Sequence, residues 1–190
     1  MSERLRKLVV YYSFDGNTKF VAETMAKTIG ADLLELKPKN EMKSHGFLKI
    51  FRGGRQVFKK EKPELLPFDK RPEDYDLIFI GTPVWAFNYA PALATFFSKV
   101  RLTGKKIALF CCAGGFRGNT LENMKDKLVG NQIVGEIDFV EPLKHNKVLN
   151  AEKARAQLIY RMSSISSNGC LTRRGIPPPL GRSMCCWRQI

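Results

Sequence analysis

A chain of 190 residues that is 44% hydrophobic can bury one sizeable core but is short for two domains. No apolar run approaches the roughly 18–20 residues of a bilayer crossing. The run that follows the basic Met1–Lys7, Leu8–Tyr12, is shorter than the about 7–15 residues of a secretory core and lacks a small-residue cleavage site, so a soluble, cytoplasmic protein is expected. The formal charge of +14 comes largely from two places, Lys37–Lys62 with nine Lys/Arg against two Glu, and the stretch from Ser163 with four Arg and no acid, and neither carries a nucleic-acid or membrane motif.

In chain order, Leu5–Tyr12 is apolar, rich in β-branched residues and bounded by charge, which predicts a buried strand. Asn17–Ile29 follows with Phe20, Val21, Thr24, Met25, Thr28 and Ile29 at helical spacing, and Gly30 stands where a C-cap belongs. Asp32–Leu36 is a second strand. Lys37–Lys70 is long and basic, with Phe47, Ile50, Phe51 and Phe58 able to form one apolar side of a short helix. Leu77–Thr82 is a third strand, Pro91–Val100 a helix, Lys106–Cys112 a fourth strand, Thr120–Leu128 a helix, Ile133–Val140 a fifth strand and Ala151–Met162 a last helix. After Met162 the composition changes abruptly to Ser, Pro177–Pro179, Arg and Cys without periodicity. Residues 1–162 are therefore expected to form the domain, and 163–190 a disordered or non-native extension.

Strongly apolar strands alternating with helices predict an α/β fold, a single doubly wound five-stranded parallel sheet covered on both faces. The order 2-1-3-4-5 suits it, with a ligand outside the carboxyl ends of the strands at the switch point. Three loops meet there. Ser13-Phe14-Asp15-Gly16-Asn17-Thr18 offers hydroxyls and a glycine at a helix N-terminus. That arrangement suits a phosphate, though the same residue types also make an ordinary N-cap turn. Thr82-Pro83-Val84-Trp85-Ala86-Phe87-Asn88 places two aromatics past a buried strand, as walls for a flat ring with backbone left for its edge, or else as packing residues. Cys112-Ala113-Gly114-Gly115 permits either bare backbone against a ligand or a simple αL turn. The residues by themselves point to a flat, phosphate-bearing ligand.

Together these loops resemble those of the flavodoxin-like FMN-binding family. Ser13–Thr18 after Val9–Tyr12 is similar to its phosphate loop, a Ser/Thr-x-Thr-Gly-Asn-Thr pattern, with Asp15 standing where that pattern has a hydroxyl residue. Gly81–Trp85 resembles its flavin-flanking loop, and Ala113-Gly114-Gly115 the loop under the isoalloxazine edge. The resemblance covers about residues 5–162. It implies non-covalent FMN, with Ser13, Gly16, Asn17 and Thr18 at the phosphate, Trp85 and Phe87 beside the ring, and electron transfer without a catalytic acid or base. An NAD(P)H-dependent FMN or quinone reductase, or a cofactor-free interaction module, are the alternatives. The partner implied is NAD(P)H or a redox protein, an acidic one if the basic Lys37–Lys62 segment steers it to the phosphate end. The oligomeric state stays open.

Other signatures fail on placement. Ala113-x-Gly115-x-x-Gly118 is a near match to the dinucleotide fingerprint, but its first glycine is Ala and it follows the fourth strand. There is no GxxxxGK[ST], and no phosphorylatable Asp ends the third strand. Five cysteines without a CxxC, and two histidines (His45, His145) remote from them, argue against a disulfide framework or zinc site. Cys111 and Cys112 read as small core residues and His145 as a surface histidine.

Overall fold

Strand β1 (Lys7–Tyr11) is buried on both faces. Leu8 and Val10 enter one apolar cluster and Val9 and Tyr11 the other. Successive side chains point to opposite faces, so a strand that is apolar at every position needs a layer of helix on each side. The same division recurs in β3 (Leu77–Trp85), with Ile78 and Ile80 against Leu77 and Phe79, and in β5 (Lys106–Ala113), with Ile107 and Leu109 against Ala108 and Phe110. The computed structural model describes residues 5–39, 62–145 and 147–155. Most of the basic segment with the short helix expected around Phe47–Phe58, the end of the last predicted helix and the extension 163–190 lie outside the described residues.

Helix α1 (Asn17–Ile29) runs between two glycines in the left-handed region, Gly16 at φ 88° and Gly30 at φ 61°. Its Val21, Ala22, Met25 and Ala26 cover one face of the sheet, joined by Ala154 from α4 (147–155). The other face is covered by α2 (Pro91–Lys99), through Leu93 and Phe96, and by α3 (Thr120–Lys125), through Leu121 and Met124. With β2 (Asp32–Glu35) and β6 (Gln132–Val140), the sheet order is β2-β1-β3-β5-β6, parallel throughout. This is the predicted doubly wound order. Each fully buried Leu, Ile or Phe contributes about 1.5–3 kcal/mol of transfer free energy, and twelve of the largest buried side chains come from these two layers. No helix among the described residues is long and apolar enough to cross a membrane.

Three predicted boundaries are corrected, the first being the start of the last helix, at residue 147 rather than Ala151. The segment Thr82–Asn88 is not an irregular loop. β3 continues to Trp85, turns through Ala86 and Phe87, and pairs antiparallel with a two-residue sixth strand, β4 (Asn88–Tyr89). The turn lacks the Asn-Gly signal that announces such hairpins, and Pro83 inside the strand disguises its continuation. Helix α3 ends at Lys125 rather than Leu128, where turn bonds to Met124 and Lys125 carbonyls replace the helical ladder.

Candidate functional site at the carboxyl edge of the sheet

The first intrahelical bond of α1 runs from the Phe20 N–H to the Gly16 carbonyl at 2.9 Å. The amides of Asn17, Thr18 and Lys19 therefore precede the ladder and give this edge a positive end. No side chain caps the helix from the N-cap position, which is Gly16 itself. The Asn17 N–H donates to Asp15 Oδ1 at 3.0 Å, and its Nδ2 donates to Asp15 Oδ2 at 2.7 Å. Asn17 Oδ1 accepts the Leu143 N–H at 3.0 Å, across 126 residues of chain. Leu143 also lies against Gly16, 3.4 Å from where a β-carbon would be. A fourth loop, residues 141–145, thus closes over the first. It follows β6, and the sequence offered only His145 as a hint of it.

Two hydroxyls of the first loop are left over. Ser13 Oγ and Thr18 Oγ1 are buried and have no well-formed hydrogen bond. An orphaned buried hydroxyl costs about 1–3 kcal/mol, so such atoms point to a ligand that completes them. Thr18 sits beside Cys112. Burial pushes the Cys112 thiol up to about 12, the Thr18 hydroxyl pulling against that rise and the charges of Asp15 and Asp138 adding to it. Burial also raises Cys111, which lies on the opposite face of the strand. Both are neutral core thiols, as expected.

The second loop presents its aromatics unequally. Trp85 is half-buried, edge-on to Tyr12 at 5.7 Å and to Phe14 at 5.8 Å between ring centroids, and packed on the core. Phe87 at the hairpin tip is 61% exposed and Phe116, from the third loop, 76%, their rings 6.2 Å apart. The exposed flat surface is thus Phe87 and Phe116, the latter at the end of the third loop, where the sequence assigned it no role. Thr82 is internal: its hydroxyl accepts the Ala90 N–H at 3.0 Å and donates to the Pro83 carbonyl at 2.9 Å. Val84 pairs with Tyr89 and Trp85 with Asn88, so the hairpin uses much of the backbone that was expected to bond a ring edge. Asn88 Oδ1 further accepts Asn123 Nδ2 at 3.1 Å, tying the hairpin to α3.

In the third loop Cys112 and Ala113 are buried, while Gly114 and Gly115 are exposed. Neither glycine has a positive φ, so the αL turn is absent there. A β-carbon on either would meet nothing within 4 Å. The protein itself has no need of glycine at these positions, which leaves their bare backbone facing open space. Gly118 is the glycine the loop requires: φ is 56°, and a β-carbon would run into Phe87, 2.9 Å from its Cα and carbonyl oxygen and closer still to its Cβ. Glu141, at φ 36°, holds the fourth loop through Lys144 at 2.6 Å and His145 at 3.2 Å, and those contacts, Lys144 first, hold its carboxyl below the usual range. Among the described residues no cluster of His, Cys, Asp or Glu is arranged to hold a metal ion.

With three strand-end loops and a glycine-capped helix on one edge, the flavodoxin profile matches residues 6–163. The chain belongs to the flavodoxin family. No curated protein matches it. Among solved structures, it is similar to a flavoprotein of Lactobacillus acidophilus crystallised with FMN, at 23% identity and TM-score 0.58 over 76% of this chain and 98% of that one. Oxidised flavodoxin 2 of Bacillus cereus aligns at 18% identity and TM-score 0.55, over 84% and 99%. Two-electron-reduced Megasphaera elsdenii flavodoxin aligns at 18% and 0.53, over 80% and 98%. At these identities the likeness is one of fold.

Proposed function

We propose that this flavodoxin-family chain binds FMN non-covalently at the carboxyl edge and works as a cytoplasmic electron-transfer flavoprotein. The observation that carries the reading is a pair of buried hydroxyls flanking a glycine-capped helix N-terminus, Ser13 Oγ without a partner and Thr18 Oγ1 with no well-formed bond beyond its contact with the neutral Cys112 thiol. Donors short of a strong acceptor at the positive end of a helix fit a phosphate. Ser13, Gly16, Asn17 and Thr18 would hold it. Phe14, Trp85 and Phe87 would flank the ring, and backbone of Ala86 and of Cys112–Gly115 would reach its edges. FMN supplies the redox chemistry when bound. The chain's own part is to bind, orient and partly cover it, and no acid or base of this edge is needed for a proton. Purified protein is expected to be yellow, with a released ligand of FMN mass. Colourless protein that fails to take up added FMN would leave an interaction module.

The exposed Phe87 and Phe116 favour a second reading, an NAD(P)H-dependent FMN or quinone reductase, because they offer a wet aromatic surface to a second flat molecule. Steady-state NAD(P)H oxidation with a quinone separates that enzyme from a carrier. For a carrier, the partner is a redox protein with an acidic face, attracted by the basic Lys37–Lys62 segment. Its reduction rate should then fall with salt, since surface charges are screened beyond about 8 Å at physiological ionic strength.

A further inference from the structure

The positive end of α1 already holds an anion. Asp15 is exposed, yet its carboxylate is not turned to water alone: Oδ1 takes the Asn17 amide and Oδ2 the Asn17 side-chain amide. With Asn17 Oδ1 engaged by Leu143, every hydrogen-bonding atom of that side chain, and its backbone donor, faces the chain's own groups. One of the three amides that precede the helical ladder is thereby occupied. Lys144, a cation that feels the Asp15 charge, is itself bound to Glu141, the main cause of its raised pKa, with Asp15 a minor one. Lys144 is thus already shared with Glu141 when a second anion arrives beside Asp15.

We propose that Asp15 sets this site's preference between phosphorylated and unphosphorylated flavin. In the free protein its carboxylate fills a donor that a phosphate would use, and when a phosphate enters, two anions share one helix end. The phosphate of FMN therefore gains little here over riboflavin, which lacks it. The inference rests on the FMN reading and concerns only the phosphate's share of binding.

Titration of the apo-protein with FMN and with riboflavin, followed by flavin fluorescence and calorimetry, tests it. For the unsubstituted protein the two affinities should differ by less than about tenfold, below the worth of an unopposed charge-assisted contact. Asp15→Asn removes the charge while keeping an acceptor for the Asn17 amide, and Asp15→Ser frees that amide and restores a hydroxyl. Both should tighten FMN by roughly tenfold or more and leave riboflavin unchanged. An unsubstituted protein that already prefers FMN a hundredfold, or variants whose FMN-to-riboflavin ratio does not move, would show Asp15 to be a turn-former only, with the FMN reading intact. Failure of all three proteins to bind either flavin would overturn the FMN reading and this inference together.

Discussion

The two ends of the carboxyl edge are built on opposite plans. The phosphate end is cross-tied over a buried floor: Asn17 bridges Asp15 and Leu143, Gly16 packs on Leu143, and Ser13 and Thr18 hold hydroxyls in reserve. The ring end is exposed and strained. Ala86 at φ 47° and Phe87 at φ 64° make a two-residue hairpin turn that normally requires Asn-Gly, and left-handed backbone costs a residue with a side chain roughly 1–2 kcal/mol. The phosphate end stores its cost mainly in unmet hydrogen bonds, with Glu141 at φ 36° adding to it, and the ring end stores its cost in backbone conformation. Local rules broken at both ends of one edge are what a binding site leaves in a free protein.

Substitutions that relieve each cost should separate stability from binding. The largest effect is expected at Thr18→Val, which replaces an orphaned hydroxyl by a methyl of the same shape. The apo-protein should gain about 1–2 kcal/mol in urea unfolding while FMN affinity falls by tenfold or more. A destabilised variant with unchanged affinity would mean that the hydroxyl serves only Cys112. At the other end, Gly118→Ala drives a β-carbon into Phe87 from a left-handed backbone. A loss of about 1–3 kcal/mol is expected, with FMN and riboflavin weakened equally because the ring and not the phosphate is disturbed. Phe87→Gly should do the reverse for stability, a gain of roughly 0.5–1 kcal/mol from relieved strain, while flavin binding weakens. Thermal melts beside flavin titrations would read both. If Phe87→Gly destabilises, the contact with Phe116 outweighs the turn strain, and the ring end is simply packed.

How far the sequence disclosed this contrast follows from the range of the interactions. Helix α1 was legible to the residue, because Gly16 and Gly30 act on their own backbone and the apolar positions between them repeat at 3.6. The strand order was legible because both-face burial of β1, β3 and β5 admits few topologies. The first loop could be named from its hydroxyls and glycine. Its lock could not: the partner of Asn17 is a backbone amide 126 residues away, and an amide has no residue-type signature. The hairpin was hidden because Ala86-Phe87 contradicts the turn code. The sequence left Gly114 and Gly115 open between bare backbone against a ligand and an αL turn; the positive φ belongs instead to Gly118, whose need arises from Phe87 on another loop. What was missed lies where two distant segments touch.

The smallest effect at neutral pH is expected beneath the phosphate end, from the thiols. At neutral pH, Cys112 is protonated in the folded and unfolded chain alike and contributes no pH dependence. Its folded pKa is raised to about 12 from an ordinary 9.0, chiefly by burial. As pH climbs past 9.0 the unfolded chain gives up the thiol proton and the native state keeps it, so the unfolded state binds fewer protons and stability must fall with pH. The fall runs from about pH 9 to the folded value, at no more than about 1.4 kcal/mol per pH unit for one such group. Cys111 acts in the same direction and, on the opposite face, independently of Thr18. Urea unfolding should therefore be flat across neutral pH and weaken above 9, and Cys112→Ala should remove part of that slope. Thiol-reactive reagents at pH 8 should leave both cysteines untouched in native protein. Rapid modification of Cys112 in the apo-form alone would show that the floor of the phosphate end opens when no ligand covers it, and the contrast between a tied end and a strained end would then hold only for the loaded protein.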